Sequence, residues 1–141
     1  MIVLDTNVVS ELIDPAPAPA VVQWFGRIPS RELFTTAITG AELFFGVARL
    51  PEGRRKRDLE AMLERLFRLR FRERVLAFDS AAARNFGDIL VERKRHGLGY
   101  HYADTQIAAI ARSLGAAVAT RNAYDFEHCG VEIINPWTTK D

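Results

Sequence analysis

The chain has 141 residues, 48% of them apolar and 26% charged, with a formal net charge of +1. That is the length of one ordinary domain, residues 1–141, able to bury a core without staples, and the composition excludes disordered and fibrous classes. The single cysteine, Cys129, excludes an internal disulfide and suits a reducing, cytoplasmic setting. No apolar run approaches the roughly 20 residues needed to span a membrane. The N-terminal apolar run carries Asp5 and no basic flank, unlike a signal peptide.

Taken in chain order, residues 2–4 form a short buried strand, and a helix begins near Thr6 or Asn7. The proline-rich elbow at residues 14–19 breaks it. Residues 21–25 make a short amphipathic helix, 26–30 a turn and 32–37 a strand. Thr39 and Glu42 stand three apart, the form of a capping box, with Thr39 as N-cap of a helix over 43–50 that stops at Pro51. Apolar positions at Leu59, Met62, Leu63, Leu66, Phe67 and Leu69 predict an amphipathic helix over 53–71. Residues 75–78 are a third strand. Asp79 and Ser80 cap a long helix to about Arg95, which Gly97 and Gly99 end. A very apolar helix covers 102–114, with Gly115 at its C-terminus. Strands over 116–119 and 131–134 complete the pattern. Strands alternating with helices predict a three-layer α/β/α domain around a central, mainly parallel five-stranded sheet.

Four acids fall where this pattern passes from strand to helix. Asp5 follows the first strand, Glu42 follows the second, Asp104 opens the most apolar helix, and Asp125 follows the fourth strand. Ligands of open α/β sheets bind at the carboxyl ends of the strands. Carboxylates gathered there repel one another unless a cation lies between them. Each acid also has a local reading: Asp5 as a helix cap, Glu42 as half of a capping box, Asp104 as a favourable first-turn charge, Asp125 as a turn residue. Independent capping does not explain why all four share one sheet edge. An all-carboxylate set without Cys, and with His96, His101 and His128 lacking ligand spacing, suits Mg²⁺ or Mn²⁺ rather than zinc. Such a site implies phosphoryl chemistry. Thr6, Asn7, Thr120 and Asn122 are small polar neighbours suited to orienting carboxylates, or simply to turns and caps. Whether Asp125 or Asn122 fills the fourth position stays open, as does one ion or two.

Between Arg54 and Arg74 stand nine basic and four acidic side chains. A second basic cluster spans 93–96. These either solvate helix faces or form a rim that holds a polyanion. Phe45, Phe67 and Phe71 are read as core, with a subunit contact as the alternative.

The segments 4–9, 39–43, 103–109 and 119–126, closed by 131–137, resemble the successive motifs of the PIN domain in its VapC-type and FitB-like toxin forms. The resemblance covers essentially the whole chain. It implies a Mg²⁺- or Mn²⁺-dependent endoribonuclease acting on tRNA, ribosomal RNA or mRNA, the toxin of a type II toxin–antitoxin pair. It also implies a homodimer inhibited by a cognate antitoxin whose C-terminal segment enters the acidic groove. Asp5, Glu42 and Asp104 match the family's three core acids. The rivals are a non-catalytic PIN-like binding domain, a receiver domain and a haloacid-dehalogenase-like phosphatase. The phosphatase needs a second Asp two residues after the first, where Asn7 stands. The receiver needs paired acids near the first strand and a conspicuous Lys late in the chain; neither is seen, and Arg121 is the nearest cation.

Overall fold

In the computed structural model, which describes residues 1–139, five short strands form one sheet. They are β1 (Ile2–Leu4), β2 (Leu33–Thr36), β3 (Val75–Leu76), β4 (Ala117–Ala119) and β5 (Ile133–Ile134). Their order is β3-β2-β1-β4-β5, and every neighbouring pair is parallel. The chain winds outward from β1 through β2 to β3, then returns to the other side of β1 for β4 and β5. The winding therefore reverses between β1 and β4, and a crevice opens at their carboxyl ends.

Seven helices surround the sheet: α1 (Thr6–Glu11), α2 (Pro19–Arg27), α3 (Ala37–Ala48), α4 (Arg54–Arg65), α5 (Ser80–Arg95), α6 (Tyr102–Ser113) and α7 (Ala123–Phe126). Side chains alternate across a strand, so neighbours on β1 enter different cores. Val3 packs with Ile89 of α5 and Ile107, Ala108 and Ala111 of α6. Leu4 packs with Val8 and Val9 of α1, Trp24 of α2 and Leu63 of α4. On β4, Val118 and Ala119 divide in the same way. Helices on both faces are what a parallel sheet requires. No helix among the described residues is long and apolar enough to cross a membrane.

Three expectations are corrected. The N-cap of α3 is Thr36, whose hydroxyl accepts from the Thr39 amide at 3.1 Å. The helix thus starts directly off β2, and Glu42 lies in its second turn with no capping role. Thr36 is already extended at φ −128°, so it can cap a turn earlier than Thr39.

The helix expected over 53–71 ends as an α-helix at Arg65 and continues as a wide π turn over Leu66–Arg70, closed by Phe71 N–H to Leu66 O at 2.9 Å. Each extra residue rotates the face by about 100°, so within the turn Leu69 is exposed while Leu66 and Phe71 are buried; before it, on α4, Leu63 is buried and Met62 exposed. The Arg74 guanidinium donates to the carbonyls of Ser30, Leu33 and Arg70 and lies over the Phe71 ring. One member of the basic run is therefore a tie between the π turn and β2.

The third correction concerns the phenylalanines. Phe71 is core, Phe67 packs partly buried against it, and Phe45 is 65% exposed on α3.

Candidate active site

Asp5 follows β1 and continues its pairing, its amide donating to Ala119 O at 2.9 Å. Its side chain is 3% exposed. Both carboxylate oxygens are engaged: Oδ1 accepts from Thr6 N at 2.8 Å, while Oδ2 accepts from Thr120 Oγ1 at 2.7 Å and from Asn7 Nδ2 at 3.2 Å. Capping α1 and facing the crevice are thus done by one carboxylate, one oxygen each. Thr120 follows β4 directly and lies beside Asp5 because β1 and β4 are in register. Its oxygen also accepts from the Asn122 amide, and Asn7 Oδ1 accepts from the Arg121 amide. Two hydrogen-bonded turns thereby lock the ends of β1 and β4 together.

Glu42 reaches the same place from α3. Its Oε1 accepts from Thr6 Oγ1 at 2.7 Å. The Thr6 proton is then spent, so the 3.1 Å contact between Thr6 Oγ1 and Thr39 Oγ1 has Thr39 as donor. Buried Thr39 orients Thr6, and Thr6 orients Glu42. Thr39 was expected as a cap; its place one turn before Glu42 on the same helix face was the available signal.

Asp104 lies in the first turn of α6, which His101 begins without a side-chain cap bond. Its carboxylate accepts no hydrogen bond among the described residues. Burial pushes its pKa from 3.8 up to about 6, and the charges of Asp5, Asp125 and Glu42 push the same way, with His101 opposing. Asp5 is likewise raised, chiefly by burial, against the pull of Thr120 and Thr6 and with Glu42 and Asp125 adding repulsion. Asp125, on α7, belongs electrostatically to this group. Asn122 is exposed and contributes its backbone amide to Thr120, while its side chain touches none of the acids by a hydrogen bond.

The fold thus brings together all four acids and three of the four polar neighbours. Among the described residues no three Asp, Glu, His or Cys side chains converge closely enough to coordinate one ion directly. The donor set still fits a hard cation held by one or two carboxylates and several waters, the usual habit of Mg²⁺. A partly buried carboxylate without a donor, raised by three like charges, is the group such a cation would satisfy.

This repulsion has a pH signature. A carboxyl whose folded pKa lies above its unfolded value binds more protons when folded, so stability falls as pH rises between the two values. In EDTA, the urea midpoint is expected to fall from about pH 4 to about pH 6 relative to Asp104→Asn. Discounted for solvent screening, the difference is roughly 1–2 kcal/mol. A wild-type curve parallel to that of the variant would rule out the repulsion.

The other basic and thiol groups have structural employment. Arg93, 3% exposed on α5, donates through Nε to Gly99 O at 2.8 Å and through Nη1 to Glu127 O at 2.6 Å and Tyr124 O at 3.4 Å. It belongs to the second basic cluster, yet it ties the loop before α6 to α7. Cys129 is buried, and burial holds its thiol above its ordinary pKa, as for an inert core cysteine.

The PIN domain family model matches residues 2–130. The chain is 43% identical over 137 residues to VapC ribonuclease Y4jK of Sinorhizobium fredii, covering 97% of this chain and 98% of that one. It is 39% identical to toxin FitB of Neisseria gonorrhoeae, over 97% and 99% of the two chains. The crystal structure of FitAcB from that organism superposes with a TM-score of 0.92 at 39% identity, covering 99% of this chain and 100% of that one. VapBC-5 of Mycobacterium tuberculosis, described as a member of the VapBC family of toxin-antitoxin systems, superposes at 0.71 with 28% identity over 94% and 96%. With a parallel sheet in the order found and the family model spanning nearly its whole length, the chain belongs to the PIN domain family.

Proposed function

We propose that this PIN domain is a divalent-metal-dependent endoribonuclease and the toxin half of a type II toxin–antitoxin pair. The observation that carries the reading is the mutual repulsion of Asp5, Glu42, Asp104 and Asp125 at the switch point between β1 and β4. The relatives named as a VapC ribonuclease and as toxin FitB support the substrate class and the toxin role.

One or two of the four carboxylates would hold Mg²⁺ or Mn²⁺ directly, with the others acting through its waters. When bound, the ion supplies positive charge to a phosphate oxygen and lowers the pKa of its water. The chain's own residues do the rest. Thr120 and Asn7 keep Asp5 Oδ2 aimed and ionised. Thr39 and Thr6 hold Glu42 in one rotamer. Asp104, with no hydrogen-bond partner, is free to accept a proton or turn toward a cation. Buried neighbours on both sides keep the local dielectric low, which strengthens each of these interactions.

A partner antitoxin is part of this reading. Two adjoining hollows lie at the C-terminal end of α1, one lined by Leu12, Ile13, Met62 and Leu69, the other by Pro17, Val21, Val22 and Phe25 with Glu11 and Asp14. Arg65 and Arg70 stand at their edges. They suit an apolar segment of a second protein carrying acidic groups. Phe45, with Arg49 over its ring at 5.6 Å, is a surface suited to a second copy of the chain.

The test is cleavage of labelled RNAs, including a tRNA pool, by protein freed of antitoxin. Cutting is expected with Mg²⁺ or Mn²⁺ and none in EDTA. Cutting that persists in EDTA would remove the metal from the mechanism. A milder variant probes the supporting hydrogen bonds. Thr120→Val removes the donor to Asp5 Oδ2, and Mn²⁺ affinity is expected to fall roughly 10–100-fold by calorimetric titration. Unaltered affinity would mean that Thr120 supports the fold alone.

A further inference from the structure

Beside the acids lies a second feature that the cleavage chemistry leaves unused. A pocket of about 200 Å³ is lined by Arg93, Gly99, Tyr100, His101, Tyr124 and Asp125. Tyr100 and Tyr124, from separate elements, are 48% and 62% exposed. Tyrosines left this open normally find partners, because burial of an aromatic ring is strongly favourable. Asp125 lines both this pocket and the acid cluster. His101, which precedes Asp104 by three residues, lines it too.

The pocket is braced. Tyr100 meets Tyr102 edge to face at 5.4 Å, Tyr102 lies flat against Phe86 at 6.2 Å and 6°, and Phe86 meets Phe78 at 6.0 Å. Phe78 and Phe86 pack against the main core. This ladder of rings runs from the interior to one wall. Arg93 holds the spacing of the two walls, since its Nε bonds the carbonyl just before Tyr100 and its Nη1 the carbonyl of Tyr124 itself.

We propose that the pocket between Tyr100 and Tyr124 takes one unpaired nucleobase of the RNA substrate, next to the phosphate that is cut. The inference rests on the ribonuclease reading for the identity of the strand. The chemistry favours a base over other occupants. The Arg93 guanidinium on the wall is spent on the carbonyls of Gly99, Tyr124 and Glu127, and Asp125 disfavours a phosphate, so a neutral group is favoured over an anion, and the rings of Tyr100 and Tyr124 suit a flat π-system. Stacking on aromatic side chains is how proteins grip single-stranded RNA while tolerating many sequences. A base anchored here would draw its own phosphate toward Asp104 and Asp125, where a cation offsets the repulsion. The substrate class is then RNA with an unpaired nucleotide at the cut, a loop or bulge rather than a continuous helix.

The test uses an Asp104→Asn background, so that RNA is bound and not cut. Fluorescence anisotropy reads binding of labelled oligouridylate, oligoadenylate and an abasic ribose-phosphate strand in Mg²⁺. Tyr100→Leu and Tyr124→Leu are each expected to weaken binding of both base-bearing strands about tenfold, and Tyr124→Phe by no more than about twofold. On the abasic strand all variants should bind alike. Leucine variants that bind RNA as the parent does overturn the proposal, as does an equal loss on the abasic strand or a parent that binds no strand. So does a leucine variant that changes from dimer to monomer on size exclusion, which would make the tyrosines a subunit contact. Wild-type protein that cuts no RNA while the base-dependent loss persists would sink the nuclease reading and leave the pocket. Metal-dependent cutting with unaltered binding by the leucine variants would do the reverse.

Discussion

Asp104→Asn protein is expected to cleave RNA roughly 10³-fold more slowly than wild type in Mg²⁺ and to be more stable to urea at pH 7 without metal. The expected loss follows from removing a charge that would hold the cation of the proposed site, whose contribution is several kcal/mol of transition-state stabilisation at about 1.4 kcal/mol per tenfold. The gain follows from the burial of the Asp104 carboxyl and, after it, the repulsion of its neighbours, which together raise it to about 6. At pH 7 the folded protein bears an ionised carboxylate against three others, and an amide removes that cost. Opposite signs in the two readouts separate a metal-site role from a structural one, because a structural residue would lose both. Asp5→Asn is expected to lose activity similarly. Its remaining oxygen can still cap Thr6 N, but its new amide faces the Asn7 donor, so its stability gain is smaller. Full cleavage by either folded variant would take that residue out of the site.

Arg93→Met is the second large effect, a loss of roughly 2–4 kcal/mol in urea unfolding. Two good hydrogen bonds from a charged donor disappear, each worth about 1.5–3 kcal/mol, and the carbonyls of Gly99 and Glu127 lose their partner. Relief from burying the guanidinium offsets part of this. Lysine should restore little, since a point ammonium cannot span acceptors on two elements as the planar fork does. Amide exchange distinguishes the cause. Protection should fall first in the loop before α6 and in α7, while β1 and β4 keep theirs. Loss confined to α5, or a midpoint within about 0.5 kcal/mol of wild type, would mean that the tie is ornamental.

Signals that are local in the chain survived folding. Asp79 caps α5 through Ala82 N at 2.9 Å, and Gly97 and Gly115 take positive φ at the ends of α5 and α6, since these depend on a few neighbouring residues. The alternation of strand and helix led to the parallel sheet for the same reason. The placement of acids after strands was legible because a parallel sheet puts those ends on one edge. Rank among polar residues was not. Thr36 and Thr39 both satisfy the rule for an N-cap, and only the end of β2 selects Thr36 and frees Thr39 to orient Thr6. Asp125 and Asn122 both stood as candidates for the fourth position; on α7 the charge of Asp125 bears on Asp5 and Asp104, while Asn122 gives only its backbone amide, to Thr120.

The fate of cations and rings was the least legible part. Arg74 and Arg93 sit in basic runs indistinguishable from solvated helix faces, yet each is drawn inward by carbonyls left bare at loops far away in sequence. The π turn carries Leu69 outward because a single added residue rotates the helix face from that point on. Phe45 reads as core until packing leaves it uncovered. Periodicity and caps report on contacts within one or two turns, and those were enough for the elements and the edge on which the acids gather. Which hydroxyl aims which carboxylate, which arginine is buried and which ring waits for a partner depend on contacts between residues up to 115 apart, such as Thr120 with Asp5, and such contacts exist only once the sheet has formed.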